Sequence, residues 1–144
     1  MDVIALNARS SGRLPGLIGI EIVESAHEKL VSKLVVRDEL LAPNGYLHAA
    51  SVIALADTTC GYGTVLNFRP DVASFTTVEL KANFIGTARN GTIFCYAERV
   101  HGGKTTEVWD ARVTDGEGGK LIALFRCTQM LLYREKKSDD SALT

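Results

Sequence analysis

The sequence predicts an α+β domain in which an antiparallel β-sheet is wrapped around one long central α-helix. Residues 48–64 form an almost entirely apolar segment that is rich in alanine and free of proline, which predicts a helix buried on every face. Residues 75–133 contain four strand-like segments separated by turn signals, and two more strand-like segments precede the helix. Because a helix without a polar face needs cover on all sides, the strands are expected to wrap it.

The part of the chain before the helix is predicted to contain two strands. In residues 16–24 isoleucines occupy alternate positions, and in residues 27–38 Leu30, Leu34 and Val36 fall on one face. Residues 1–15 are weakly patterned and are predicted to form a short helix or an arm. A loop over residues 39–45 then leads into the helix.

The central helix has clear signals at both ends. The turn sequence Pro43-Asn44-Gly45 precedes it, and Gly61 and Gly63 are predicted to stop it.

The second half of the chain is predicted to be a four-stranded antiparallel meander. Residues 75–85 alternate, with one face formed by Val78, Leu80, Ala82 and Phe84 and the other by Thr77, Glu79, Lys81 and Asn83. Asn90-Gly91 predicts a hairpin to a strand over residues 92–100, and strands over 105–114 and 121–133 follow glycine-rich turns. The polar tail, residues 134–144, is predicted to be flexible.

Length and composition indicate a single domain over residues 1–144 and exclude several functions. A net charge of -1 gives no electrostatic case for binding nucleic acid or an anionic membrane. No signal peptide is visible, and the apolar segments are judged too short to span a bilayer. The three cysteines form no CxxC pair, which favours free thiols in a reducing cytoplasm. No metal-ligand spacing and no phosphate-binding glycine loop is present, so neither a metal nor a separate cofactor is predicted.

Asp57 is the residue that the rest of this helix does not explain. It is the only Asp, Glu, Lys, Arg or His in the helix after His48. A carboxylate in an apolar helix is costly unless it is paired, solvated by a cleft or used in chemistry. The structural alternative is a carboxylate bonded to a neighbouring subunit or to Thr58 or Thr59.

His48 and Asp57 cannot meet on one straight helix. Nine residues place them on roughly opposite faces, about 13 Å apart along the axis. Two copies of the helix packed antiparallel across a two-fold axis would bring His48 of one chain near Asp57 of the other. The spacing permits such a shared site without requiring it.

The segment from Pro43 to Asp57 resembles the loop and helix start of hotdog-fold acyl-CoA thioesterases. Those of the phenylacetyl-CoA and 4-hydroxybenzoyl-CoA types have the form Gly-x-x-His-Gly-Gly, with Asp or Glu nine residues after the His. Residues 77–81 and 118–123 are similar to the third and last strands of that family. The resemblance covers roughly residues 16–132 and implies an acyl-CoA substrate.

The resemblance implies roles for four catalytic residues. Asp57 matches the carboxylate that attacks the thioester carbonyl or activates a water. Ala49 matches the glycine whose N–H polarises that carbonyl at the helix N-terminus. His48 would lie beside the carbonyl or hold the loop, and Thr77 would position water. For His48 a plain capping role, and for Thr77 a plain strand role, stay open.

The resemblance also implies substrate contacts and an assembly. The substrate-binding candidates are Asn44, Gly45, Tyr62, Thr76, Val78 and Arg89, with Arg69 and Lys104 as further cations for the coenzyme A phosphates. The implied assembly is a homodimer, paired into a dimer of dimers, with active sites shared between subunits. Alternatively, Tyr62 is an ordinary aromatic residue of the core, and the three cations are solvated surface charges without a role in binding.

The sequence departs from the family pattern at the helix start. Ala49-Ala50 replaces Gly-Gly, and Ala42 stands where many relatives carry a Gln or Asn that touches the substrate carbonyl. Either Asn44 substitutes for that residue or the contact is missing. These departures keep a non-catalytic acyl-CoA binding module open as an alternative. A hydratase is disfavoured because its Asp-x-Asn-Pro-x-His loop is missing. A measurement of thiol release from acyl-CoA distinguishes a thioesterase from the binding module and from the hydratase.

Overall fold

The computed structural model describes residues 1–135, so the predicted tail lies outside the described residues from position 136 onward. Three helices and six strands follow one another along the chain. They are α1 (Val3–Ser10), α2 (Leu14–Ile18), β1 (Glu21–Ala26), β2 (Lys29–Val35), α3 (Ala49–Leu66), β3 (Val72–Phe84), β4 (Thr92–Gly102), β5 (Thr106–Asp115) and β6 (Lys120–Tyr133), with a short 3-10 turn at Asp38–Leu40.

The strands form one antiparallel sheet in the order β1-β2-β4-β5-β6-β3, and α3 packs against it. The predicted class, an antiparallel sheet around one long helix, is confirmed. The predicted four-stranded meander is wrong at its first step, because β3 pairs with β6 at the sheet edge and only β4, β5 and β6 form a meander. Asn90-Gly91 makes no hairpin: the Gly91 carbonyl accepts from the Val36 N–H at 2.8 Å.

The strand predicted over residues 16–24 begins later than the isoleucine pattern suggests. Residues 14–18 form α2, with Pro15 in its first turn, where the missing N–H of proline costs nothing. Gly19 ends this helix at φ 93°, a left-handed conformation that suits glycine. β1 therefore starts only at Glu21.

Gly61 and Gly63 lie inside α3 and do not end it. A Cβ on Gly63 would stand 2.4 Å from the Trp109 ring, and a Cβ on Gly61 would stand 2.9 Å from the Phe75 ring. The two glycines therefore let aromatic side chains of the sheet reach the helix backbone. The prediction of a stop was wrong because these contacts outweigh the low helix propensity of glycine.

One face of α3 is only partly buried within a single chain, so the prediction of burial on every face holds fully only for the side that faces the sheet. The side facing the sheet is buried, whereas Ala50 is exposed and Ile53, Ala54 and Asp57 are half-buried. These four positions follow the i, i+3, i+4, i+7 spacing of one helix face. We name the stripe formed by these four residues the open face of α3.

α3 is also longer than the sequence suggested. Its 18 residues, with a mean hydropathy of 1.2, would suffice to cross a membrane by length and composition alone. The prediction that every apolar segment is too short is therefore wrong. Its packing against the sheet, with 56% of it buried, is that of a core helix.

A buried carboxylate ties the C-terminal half of α3 to the sheet. Glu107 is 3% exposed and accepts hydrogen bonds from the Trp109 indole at 2.9 Å, the Thr64 hydroxyl at 3.2 Å and the Arg99 guanidinium at 3.2 Å. Arg99 also donates to Glu28 at 2.8 Å. Because its lone pairs are used by three donors, the buried charge is compensated.

Candidate active site

Asp57 lies half-buried on the open face of α3, where it faces β3. The Thr77 hydroxyl donates to Asp57 Oδ1 at 3.3 Å. The pairing register of β3 shifts between Thr77 and Glu79. This bulge turns Thr77 to the helix side of the sheet, where Leu80 also lies. The prediction that Thr77 and Leu80 face opposite sides of the strand is therefore wrong.

The environment of Asp57 is that of a desolvated carboxylate with a weak partner. Burial raises the pKa of Asp57, and the hydrogen bond from Thr77 offsets part of that rise. Among residues 1–135 no ion pair reaches it. Thr59 does not hold it either, because its hydroxyl donates to the Leu55 carbonyl at 2.6 Å and lies 2.5 Å from Ser32 Oγ.

The N-terminus of α3 presents a free amide beside His48. His48 is the N-cap residue, and its Nδ1 accepts from the Ala50 N–H at 2.9 Å. The neutral ring then carries its proton on Nε2, which is free to donate. In the described part of the chain the Ala49 N–H has no acceptor. A free N–H at the positive end of a helix dipole suits a developing oxyanion.

The loop before α3 forms a rim next to this amide. Asn44 Oδ1 accepts from the Tyr46 N–H at 3.2 Å, and Gly45 turns the chain at φ 85°. Arg89 lies over the Tyr46 ring, with its guanidinium carbon 4.1 Å from the ring centroid. The two loops are joined because the Leu47 N–H donates to the Ala88 carbonyl at 2.9 Å. Arg89 is thus held at this rim.

Three other predicted substrate contacts lie on α3 and β3. The Tyr62 hydroxyl lies 2.7 Å from Ser10 Oγ, so its polar end is already used by α1. Thr76 pairs with Met130, whose side chain is exposed on the outer face of the sheet, away from α3. Val78 is 52% exposed at the bulge.

Two of the cations predicted to bind the coenzyme A phosphates, Arg69 and Lys104, lie at the turn between β4 and β5. Arg69 donates to the Lys104 carbonyl at 2.8 Å, in the turn between β4 and β5. That bond holds a turn and leaves these two residues apart from Asp57. A surface groove between Lys29, Arg112 and Arg126 lies on the outer face of the sheet and is separated from Asp57 by the sheet itself. Within residues 1–135 no cluster of three metal-ligating side chains occurs.

The sequence interpretation overlooked Gln129. This residue of β6 is 0% exposed and pairs directly with Thr77 across the sheet. In the strand over residues 121–133 it reads as an ordinary polar residue. The available signal is weak: Thr128-Gln129 is a polar pair in a largely apolar strand that also contains Arg126.

An antiparallel sheet over one long helix is the architecture of the hotdog fold, and a half-buried carboxylate with a free helix-start amide suits thioester hydrolysis. The chain belongs to the thioesterase superfamily, whose family profile matches residues 44–122, just over half of its length. It is therefore a thioester hydrolase, as the resemblance implied.

Individual relatives agree with this assignment. The chain is 37% identical over 119 residues to a 1,4-dihydroxy-2-naphthoyl-CoA hydrolase from Listeria monocytogenes, covering 83% of this chain and 95% of that one. It is 28% identical to a solved variant of thioesterase PA1618 from Pseudomonas aeruginosa, with a TM-score of 0.87 over 93% of this chain and 96% of that one. The Escherichia coli PaaI structure, at 22% identity, has the same fold, with a TM-score of 0.79 over 89% of this chain and 90% of that one.

Proposed function

We propose that the protein hydrolyses an acyl- or aryl-acyl-CoA thioester to the free acid and coenzyme A. The observation that carries the proposal is Asp57, a half-buried carboxylate without an ion-pair partner in the described residues, held by Thr77. A relative named for the hydrolysis of an aryl-CoA supports the substrate class. The three free, buried cysteines suit a reducing cytoplasm, which we propose as the location.

Asp57 can serve in either of two ways. As a general base it takes a proton from water, the hydroxide adds to the carbonyl carbon, the carbon–sulfur bond breaks, and the thiolate receives the proton. As a nucleophile its carboxylate adds to that carbon, coenzyme A leaves, and water hydrolyses the resulting anhydride. In both routes the carbonyl oxygen gains negative charge, which the Ala49 N–H stabilises. Thr77 positions Asp57 or the water.

The rim residues are proposed to bind the coenzyme A part of the substrate. Arg89, stacked on Tyr46, presents its N–H groups to a phosphate with little loss of side-chain freedom. Asn44 and Gly45 shape the approach to the Ala49 amide. Tyr62 and Val78 are proposed to line the acyl pocket, and Thr76 to contact substrate only through a second subunit. No separate cofactor is proposed.

We propose a homodimer, paired into a dimer of dimers, in which a second copy covers the open face of α3. β3 is an edge strand, and its helix-side residues Leu80 and Phe84 are 38% and 46% exposed. An apolar edge strand of this kind favours pairing with another chain. A two-fold axis there would bring His48 of the partner toward Asp57.

The assembly is tested with two matched leucines, Leu80 and Leu124, each 38% exposed but on opposite faces of the sheet. Sedimentation of the wild-type protein at micromolar concentration should show a dimer or larger. Leu80→Lys should give inactive monomers, because it places a charge in the proposed interface, whereas Leu124→Lys should remain at least dimeric. A fully active wild-type monomer would contradict the proposal.

The reaction itself is tested by measuring thiol release from a panel of acyl-CoA thioesters. Turnover of at least one thioester supports the proposal. Tight binding without thiol release would favour the non-catalytic binding module, for which Ala49-Ala50 and Ala42 remain the supporting features.

Thr77→Val should move the acid limb of the kcat/KM profile to higher pH. Asp57 must be ionised in either role, and the Thr77 hydrogen bond lowers its pKa. Without that bond the pKa rises further, so a higher pH is needed to ionise the same fraction. Thr77→Ser keeps the hydroxyl and should keep the wild-type limb. An unshifted limb in Thr77→Val would show that the bond does not act on the catalytic group.

A further inference from the structure

Gln129 is a buried amide with one end unpartnered. Its side chain is 0% exposed, and no donor within residues 1–135 reaches its Oε1. Its Nε2 donates only to Cys127 Sγ, at 3.5 Å, and thioether or thiol sulfur is a weak acceptor. Leaving a buried polar atom without a hydrogen bond opposes folding, so such an atom calls for an explanation.

The unpartnered amide lies beside the proposed catalytic carboxylate. Gln129 is the cross-strand partner of Thr77, which holds Asp57. Its Nε2 stands 3.9 Å from the position that a Cβ of Gly61 would occupy. Gly61 follows Asp57 by four residues and so lies on the same side of α3, one turn further on. The Gln129 amide therefore lies between α3 and the sheet, about one helical turn beyond Asp57.

An aromatic ring and this amide approach α3 at the same point, beside Gly61. The Phe75 ring lies against the bare backbone of Gly61, within 2.9 Å of the missing Cβ position, and is only half-buried. Movement of the ring away from Gly61 would open a path from the open face of α3 to Gln129. Gly61 itself adds no side chain at this point.

We infer that Gln129 recognises a hydroxyl group on the acyl part of the substrate, with Phe75 as its displaceable cover. A hydroxyl both donates and accepts, so it satisfies either the oxygen or the nitrogen end of the amide. A purely apolar acyl group would leave the amide unpartnered and lose binding energy. The inference rests on the proposed thioesterase function and makes Gln129 a specificity-determining residue.

The other unpartnered buried amide in the described chain does not compete for this role. Asn67 Oδ1 also lacks a donor, but its Nδ2 donates to the carbonyls of Gly63 at 2.8 Å and His27 at 2.5 Å. It thereby caps the far end of α3, ten residues beyond Asp57. It fixes the helix end and is remote from the carboxylate.

The test compares matched substrates that differ by one hydroxyl. The pairs are benzoyl-CoA with its three monohydroxy isomers, and butyryl-CoA with 3-hydroxybutyryl-CoA. The wild-type protein should prefer a hydroxylated member of at least one pair by about tenfold or more in kcat/KM. Gln129→Met, which keeps the length but removes the amide, should abolish that preference, so that the two members of the pair have similar kcat/KM values. Thr128→Val, on the opposite face of β6, is the matched control and should keep the preference.

Thermal melting separates recognition from a structural role. Gln129→Met removes an unsatisfied amide, so its Tm should be unchanged or higher. Equal wild-type turnover within every pair would overturn the inference and leave an internal water as the occupant, with the thioesterase function intact. A Gln129→Met protein that loses both members of a pair equally, with a lower Tm, would also overturn it. If no acyl-CoA releases thiol, the proposed function itself has failed.

Discussion

Asp57→Asn is expected to reduce turnover by at least about 10²-fold, the lower range for a lost general base. Asparagine keeps the shape of the side chain but can neither take a proton from water nor form the anhydride. The measurement is kcat/KM for the best substrate of the thiol-release panel. Asp71→Asn is the matched control, because Asp71 is an exposed carboxylate just before β3 and should keep full activity.

The same variant should be as stable as the wild type or more stable. Burial raises the pKa of Asp57 in the folded state. Below the unfolded pKa the group is neutral in both states, and as pH rises through the folded pKa the folded protein must ionise a partly desolvated carboxylate. At neutral pH Asp57 therefore costs stability, and asparagine removes that cost. A destabilised but fully active Asp57→Asn protein would mean that Asp57 is an interface carboxylate.

Ala49→Pro should lower kcat by about 10²–10³-fold, the usual loss for one oxyanion donor. Proline has no N–H, so the thioester carbonyl would lose its proposed donor. The fold should tolerate the change, because proline suits the first helical position and the Ala49 N–H has no acceptor within the described residues. His48, at φ -68° and ψ 138°, already has the extended backbone that a following proline requires.

Ala49→Gly is the control for this position and should retain activity, since it keeps the N–H. Far-ultraviolet circular dichroism and Tm establish that Ala49→Pro is folded. A folded and fully active Ala49→Pro protein would remove Ala49 from the mechanism.

The fold class was predictable because it depends on patterns that are local in the sequence. A long apolar helix and alternating strands are visible as periodicities, and the observed helix and the last three strands begin within one residue of their predicted starts. Strand pairing is a different matter. Asn90-Gly91 favours a hairpin locally, but β3 gains its partner from β6, about fifty residues away, so the outcome depends on tertiary packing.

The site was predictable only in part, for the same reason. Asp57 was identifiable because a lone charge in an apolar helix needs an explanation. The contact between Thr77 and Asp57 depends on a bulge that the alternation of β3 does not reveal. Gln129 was overlooked because the lack of a hydrogen-bond partner is a property of the folded chain and leaves no mark in the sequence.

The contact between Gly63 and Trp109 bears on how accurately the catalytic groups are held. With a Cβ position only 2.4 Å from the indole, the helix backbone rests directly on a fully buried ring, and Glu107 fixes that ring in turn. A fully buried indole packed against a bare backbone has little room to move, so the separation between α3 and the sheet can vary little. Asp57 belongs to that helix, and Thr77 belongs to that sheet. Folding therefore already fixes Asp57 relative to Thr77, and substrate binding does not have to align the two side chains.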